Sequence, residues 1–282
     1  MRGGGEGSPR RAQVGVVGAG IVGLATAYAV AERGASVRVY ESGVPGNGQS
    51  GGESRVIRHA HDDPRLIKLV HTSRALWDEW SERLGRELVS ADGVVAIGPS
   101  VEDRLAVLER VGDSPARPIG AAELGERLPL LAAYTGPAML DERGGSIRTR
   151  AAIEALAGEL GRSIVRDEVI SIRPTAHGTV ELRTGGERCE HERVVVCAGR
   201  GSAQLARSLG SSIPVRLAAH VRITYRLAGE APKRLACLQD GSGDYGEVGV
   251  YAAAEPGNRR YAVGLSQTVD GRRTARLGEP RG

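Results

Sequence analysis

The chain contains no phenylalanine, and its 282 residues include only 2 Trp and 7 Tyr. Single-stranded nucleic acid is held on several exposed rings that stack with bases, so this scarcity argues against that class of protein. Lysine is nearly missing too, with Lys68 and Lys233 the only two. The net charge of +4 therefore rests on arginine, and the 38 basic and 34 acidic residues are interspersed along the chain. Nucleic-acid binders gather basic charge on one face, so no such partner is expected. Cys189, Cys197 and Cys237 are too few and too widely spaced for a disulfide framework or a zinc site. No metal is expected, and a reducing, cytoplasmic compartment is the simplest reading. A membrane-spanning run is lacking as well. Residues 14–31 are uncharged and follow Arg10 and Arg11, but Gly15, Gly18, Gly20 and Gly23 interrupt them. A second strand pattern, Val37-Arg38-Val39-Tyr40, comes directly afterwards, as in a β-α-β unit and not as after a signal peptide.

What is present is a globular composition, 40% hydrophobic and 26% charged, long enough for one large or two modest domains. Residues 1–11 are rich in Gly, Arg, Ser and Pro and read as a tail. The run 13–17 suits a buried parallel strand, and a helix follows to about Arg33, closed by Gly34. Residues 42–54 read as a long loop, a feature that is often functional. Asp62-Asp63-Pro64 caps a helix carrying Leu66, Leu69, Val70, Leu76, Trp77, Trp80 and Leu84. Ser100-x-x-Asp103 has capping-box spacing before Leu105, Leu108 and Val111. A helix with Ile153, Leu156 and Leu160, strands near 164–165 and 169–172, and the apolar strand Val194-Val195-Val196-Cys197 complete an α/β rhythm. After about Pro214 the pattern alternates, as in Val221-x-Ile223-x-Tyr225, which predicts an antiparallel module.

Chemistry enters at Gly18-Ala19-Gly20-Ile21-Val22-Gly23, between the first strand and its helix, with Glu41 at the end of the next strand. Gly18 permits a tight turn, Gly20 lets a pyrophosphate reach the backbone, and Gly23 lets helix and strand pack closely. The helix start offers unpaired N–H groups to phosphate, and an acid about 20 residues on suits an adenosine ribose. The glycine pattern predicts a dinucleotide site without choosing between FAD and NAD. The later strand ending in Ala198-Gly199 favours a flavin, since flavoproteins of this type bring such a small-Gly pair near the ribityl-phosphate region.

The segment Glu53-Ser54-Arg55-Val56-Ile57-Arg58-His59-Ala60 resembles the signature after the FAD fingerprint in monomeric sarcosine oxidase and its relatives. Ala75-Leu76-Trp77-Asp78-Glu79, Gly93-Val94, residues 149–161, 193–199 and Ile213-Pro214 continue the likeness. That family, similar in architecture to D-amino-acid and glycine oxidases, uses FAD to oxidise the C–N bond of amino acids or secondary amines, with hydride passing to flavin N5. The resemblance implies a Rossmann-like, doubly wound FAD-binding domain (12–90 and 146–212) interleaved with an antiparallel-sheet substrate domain (91–145 and 213–270), followed by a tail at 271–282. It implies that Arg58 binds the substrate carboxylate, that Arg55 stands near the flavin, and that Tyr251 lines the substrate pocket. Ser42, Ser54 and Val169 join the glycine motif, Glu41, Ala198 and Gly199 on the cofactor. The expected partner is a small amine or amino acid.

Two departures accompany the resemblance. Ala262 and Ser266 stand where the oxidases carry an oxygen-activating lysine and a pocket histidine, which favours a dehydrogenase as the alternative to an oxidase. The family's C-terminal portion, with its covalent flavin link in some members, has no counterpart before Gly282, so FAD is expected to be non-covalent. A homologue that binds a dinucleotide or a partner without turnover is the alternative reading, and an NAD(P)-dependent reductase a third.

Overall fold

Val14–Val17 is an apolar run with no polar face, so it must be covered on both sides. It lies inside a parallel sheet with the order Arg193–Val196, Val14–Val17, Val37–Glu41 and Ile164–Arg166. The computed structural model describes residues 12–112, 114–216, 218–246, 248–267 and 269–270; the expected tails 1–11 and 271–282 lie outside them. The helix Ile21–Glu32 packs against the first two strands of the chain and buries Leu24, Ala27 and Tyr28. It ends where Gly34, at φ 82°, donates its N–H to the Ala31 carbonyl. On another face Val17 and Tyr40 pack with Val169, Ile172, Leu182 and Cys189. Those residues belong to a three-stranded antiparallel sheet of Val169–Pro174, Val180–Thr184 and Arg188–His191. Leu205 of the helix Ser202–Ser208 closes the same cluster.

The chain divides into two compact units, the first formed by residues up to 52 and 152–216, the second by 53–151 and the residues from 217. The sequence reading placed 53–90 and, within 146–212, residues 146–151 with the first module. In the structure these residues belong to the second, because Ser54–Ile57 pairs antiparallel with Gly145–Arg148 and the helix Pro64–Arg83 packs on the helix Val101–Val111.

The second unit is built on a seven-stranded sheet. Its order is Arg222–Arg226, Arg260–Leu265, Val250–Ala254, Cys237–Asp240, Val94–Ile97, Ala138–Asp141 and Ala116–Pro118. All neighbours are antiparallel except Cys237–Asp240 and Val94–Ile97, which run parallel where the two chain segments of the unit meet. Val95, Ile97, Leu140, Ala252 and Tyr261 join Leu124 and Leu128 in one core. On another cluster Val94, Cys237 and Ala253 pack with Val56.

Two local expectations change. Ser100 occupies the N-cap but makes no side-chain capping bond, because its backbone (φ −78°, ψ 0°) is not extended. The Val101 N–H bonds the Gly98 carbonyl instead. The Pro64–Arg83 helix is capped as read, with Asp63 accepting from the Arg65 N–H at 2.9 Å, but its apolar stripe is mostly open. Ile67 is its one buried residue, while Leu66, Leu69 and Leu76 are exposed.

Candidate functional site

Three loops meet at the carboxyl ends of the parallel strands in the first unit. Gly18 takes φ 100°, and a Cβ there would stand 2.6 Å from the Cys197 carbonyl oxygen. The Cys197 N–H in turn bonds the Val17 carbonyl at 2.8 Å, so the turn through Ala198 and Gly199 is pinned beside the glycine motif. A Cβ on Gly23 would fall 1.9 Å from the Gly18 oxygen, which makes glycine obligatory for the helix to start here. Gly20 differs. Its φ of −73° suits any residue, and a Cβ would meet only the Ser50 hydroxyl at 3.3 Å. Packing within the protein gives no reason for glycine at 20, and close approach by a bound group does.

Around that opening the donors and acceptors suit a dinucleotide. The helix beginning at Ile21 has no side-chain cap from Gly20 and no acid in its first turn, and the Ile21 N–H donates to the Ser50 hydroxyl at 3.0 Å. Glu41 accepts from the Ala19 N–H and the Gly43 N–H, both at 2.8 Å. One bond to each carboxylate oxygen leaves further lone pairs for ribose hydroxyls. Ser42 is exposed beside it, and Val22 is exposed on the first helical turn. The residues present fit FAD. Val169 is buried in the cluster with Tyr40, so its side chain is used in packing. Ser54 stands in the second unit, its carbonyl accepting from Arg55 Nη1 and Arg222 Nη1, both at 2.7 Å.

The second unit carries a half-open cavity of about 310 Å³ lined by Arg55, Arg58, Arg222, Gln239, Tyr251 and Ser266, among others. Its size is at the lower end of small-molecule sites. Arg55 and Arg58 both line it. Arg58 Nη1 bonds the Ala60 carbonyl and approaches His61 Nδ1 at 3.4 Å. Burial lowers the pKa of both guanidiniums; Arg222 adds to the effect on Arg55 and Arg104 to that on Arg58, with Asp62 and Asp141 opposing it on Arg58. His59 is not among the residues lining this cavity. It is fully buried, its Nδ1 lies 3.1 Å from both Asp141 oxygens, and its ring packs 4.7 Å from His71. This buried anchor fixes the segment that carries Arg58. Ala262 is buried between Thr224 and Ala253 on neighbouring strands.

Arg222 and Gln239 escaped the sequence reading. Arg222 is one arginine among 36 and belongs to no motif. Gln239 lies on a strand that the sequence pattern did not reveal, and its Oε1 is buried without a hydrogen-bond partner.

A parallel sheet with a glycine-rich turn, an acid on the adjacent strand and an interleaved antiparallel unit defines a dinucleotide-binding flavoprotein fold. The FAD dependent oxidoreductase (DAO) family matches residues 13–279, and the chain belongs to it. N-methyl-L-tryptophan oxidase of Yersinia pestis (strain Pestoides F) is 28% identical over 214 residues, 71% of this chain and 57% of that protein. The chain thus spans under two thirds of the length of such relatives. Among solved structures, L-proline dehydrogenase from P. horikoshii superposes with a TM-score of 0.80 at 19% identity, covering 93% of this chain and 71% of that one. Glycine oxidase from Geobacillus kaustophilus gives 0.71 at 22% identity, covering 93% and 72%. These likenesses establish the shared fold. Among the described residues no helix is long and apolar enough to cross a membrane.

Proposed function

We propose that this protein binds FAD non-covalently through the glycine turn of its first unit and oxidises the C–N bond of a small amino acid or secondary amine. The observation that carries the cofactor half is Gly20, whose Cβ position faces only the Ser50 hydroxyl at a helix start with no acid in its first turn and Glu41 beside it. Flavin, when held there, supplies the acceptor for hydride from the substrate carbon next to nitrogen.

The residues of this chain bind and orient. Arg58 offers a planar fork of donors to the substrate carboxylate, Arg55 adds positive charge in the same cavity, and Tyr251 supplies a wall. Non-covalent attachment is supported by the thiols. Cys189 and Cys237 are buried, and burial raises the pKa of all three cysteines, that of Cys237 to about 12, so none is a ready nucleophile.

Titration with FAD followed by anaerobic addition of an N-methyl amino acid tests the reading. Flavin fluorescence should be quenched on binding, and the bound spectrum should bleach with substrate. A protein that takes up no FAD overturns the reading. Arg58→Ala should weaken binding of carboxylate substrates about 10- to 100-fold and leave FAD content intact, as expected for loss of a charge-assisted hydrogen bond. Simultaneous loss of flavin would contradict the role given to Arg58.

A further inference from the structure

Three guanidiniums, Arg55, Arg58 and Arg222, line the cavity of the second unit, and no carboxylate is among its lining residues. A single α-carboxylate engages one fork of this kind, so the cavity holds more positive charge than a simple amino acid uses. Arg222 is held firmly. Its Nη1 donates to the Ser54 carbonyl at 2.7 Å and its Nη2 to the Ser54 hydroxyl at 3.2 Å. Both partners are neutral, so they fix the guanidinium without compensating its charge. No ion pair engages Arg58 or Arg222 among the described residues, and Arg222 Nε is buried without a partner.

The sheet makes room for this side chain. Arg222 pairs in register with Gly264, where a Cβ would come 2.9 Å from Arg222 Cγ and 2.5 Å from Tyr251 Cζ. Glycine at 264 therefore lets the guanidinium lie against the Tyr251 ring, with its carbon 5.9 Å from the ring centroid. A fixed cation that is partly withdrawn from water and lacks a protein counter-ion is stabilised by an incoming anion. The charge of Arg222 also opposes that of Arg55, and an anion between such groups would relieve the repulsion.

We propose that this cavity selects substrates with two acidic groups, Arg58 holding the α-carboxylate and Arg222 the second acid, so that the substrate class is a dicarboxylic amino acid or its N-alkyl derivative. The proposal rests on the functional reading above and sharpens it to a substrate class. Glutarate and butyrate differ by one carboxylate and serve as non-oxidisable probes. Each is titrated into the full chain with and without FAD, followed by calorimetry and by the flavin difference spectrum. Glutarate should bind about tenfold or more tightly than butyrate. Arg222→Gln, which retains a donor for the Ser54 carbonyl, should remove most of that difference, and Arg222→Lys should remove part of it. Equal binding of the two acids by the wild type overturns the proposal, as does a glutarate advantage that survives in Arg222→Gln. Failure to bind FAD overturns the functional reading instead, and the comparison of the acids without flavin still decides the present one.

Discussion

Gly20 and Gly23 sit three positions apart in one motif and are glycine for different reasons. At 23 the reason is internal, since a methyl group would overlap the Gly18 oxygen at 1.9 Å. Gly23→Ala should therefore destabilise the protein by about 1–3 kcal/mol through backbone displacement, read as a lower urea midpoint. At 20 a Cβ would meet only the Ser50 hydroxyl, and the reason proposed for glycine is a bound phosphate. Gly20→Ala should cost less than about 1 kcal/mol of stability yet weaken FAD binding tenfold or more. Undiminished FAD affinity in Gly20→Ala would show that no phosphate approaches that backbone. The motif already implied a different role for each glycine, and the contact distances supply the internal reason at 23 and show none of that kind at 20.

Among elements, the strand Ala138–Asp141 does more than fill the sheet. Its last residue accepts from the Gly144 N–H at 2.8 Å and from the backbone N–H and ring of His59, all buried. Asp141→Ala strands the two His59 donors, while the Gly144 N–H keeps the backbone carbonyl of residue 141 at 3.3 Å; at about 1–3 kcal/mol for each buried unsatisfied group the loss should be roughly 2–6 kcal/mol in denaturant unfolding. Asp141→Asn, which keeps a carbonyl acceptor, should lose less. The same bonds seat the segment carrying Arg58, so the Asn variant should also raise the Kd for butyrate while its FAD binding stays unchanged. Sequence alone showed His59 only as part of a motif. Its partner lies 82 positions away, and no local pattern links them.

For the whole molecule, stability should depend on pH through His191. Its Nδ1 lies 2.7 Å from the Ala12 carbonyl, which only accepts, so Nδ1 carries the proton. Its Nε2 then accepts from the Tyr40 hydroxyl at 2.8 Å, as the neutral ring requires. Burial lowers this pKa below the ordinary 6.5, with the Arg38 charge adding to it against the Ala12 hydrogen bond. The unfolded chain therefore binds a proton at a pH where the folded one does not. Stability from this source is complete above about pH 6.5 and falls as the pH drops toward the folded pKa. Melting temperatures between pH 7.5 and 5 should decline in the wild type and decline less in His191→Gln. Equal slopes would remove His191 from the account.

The candidate cofactor cradle was legible in the linear order of residues because its geometry is local: a strand, a glycine turn, a helix and an acid on the next strand lie within 28 residues, from Val14 to Glu41. Backbone conformation and close packing at such a turn admit few residue types, so the pattern betrays the structure. The second unit was less legible. Its sheet joins segments more than a hundred positions apart through the parallel pairing of Val94–Ile97 with Cys237–Asp240. Arg222 meets Tyr251 through the strand Arg260–Leu265 between them and meets Ser54 168 positions away, because a guanidinium's partners are chosen by proximity in space and leave no periodic trace along the chain.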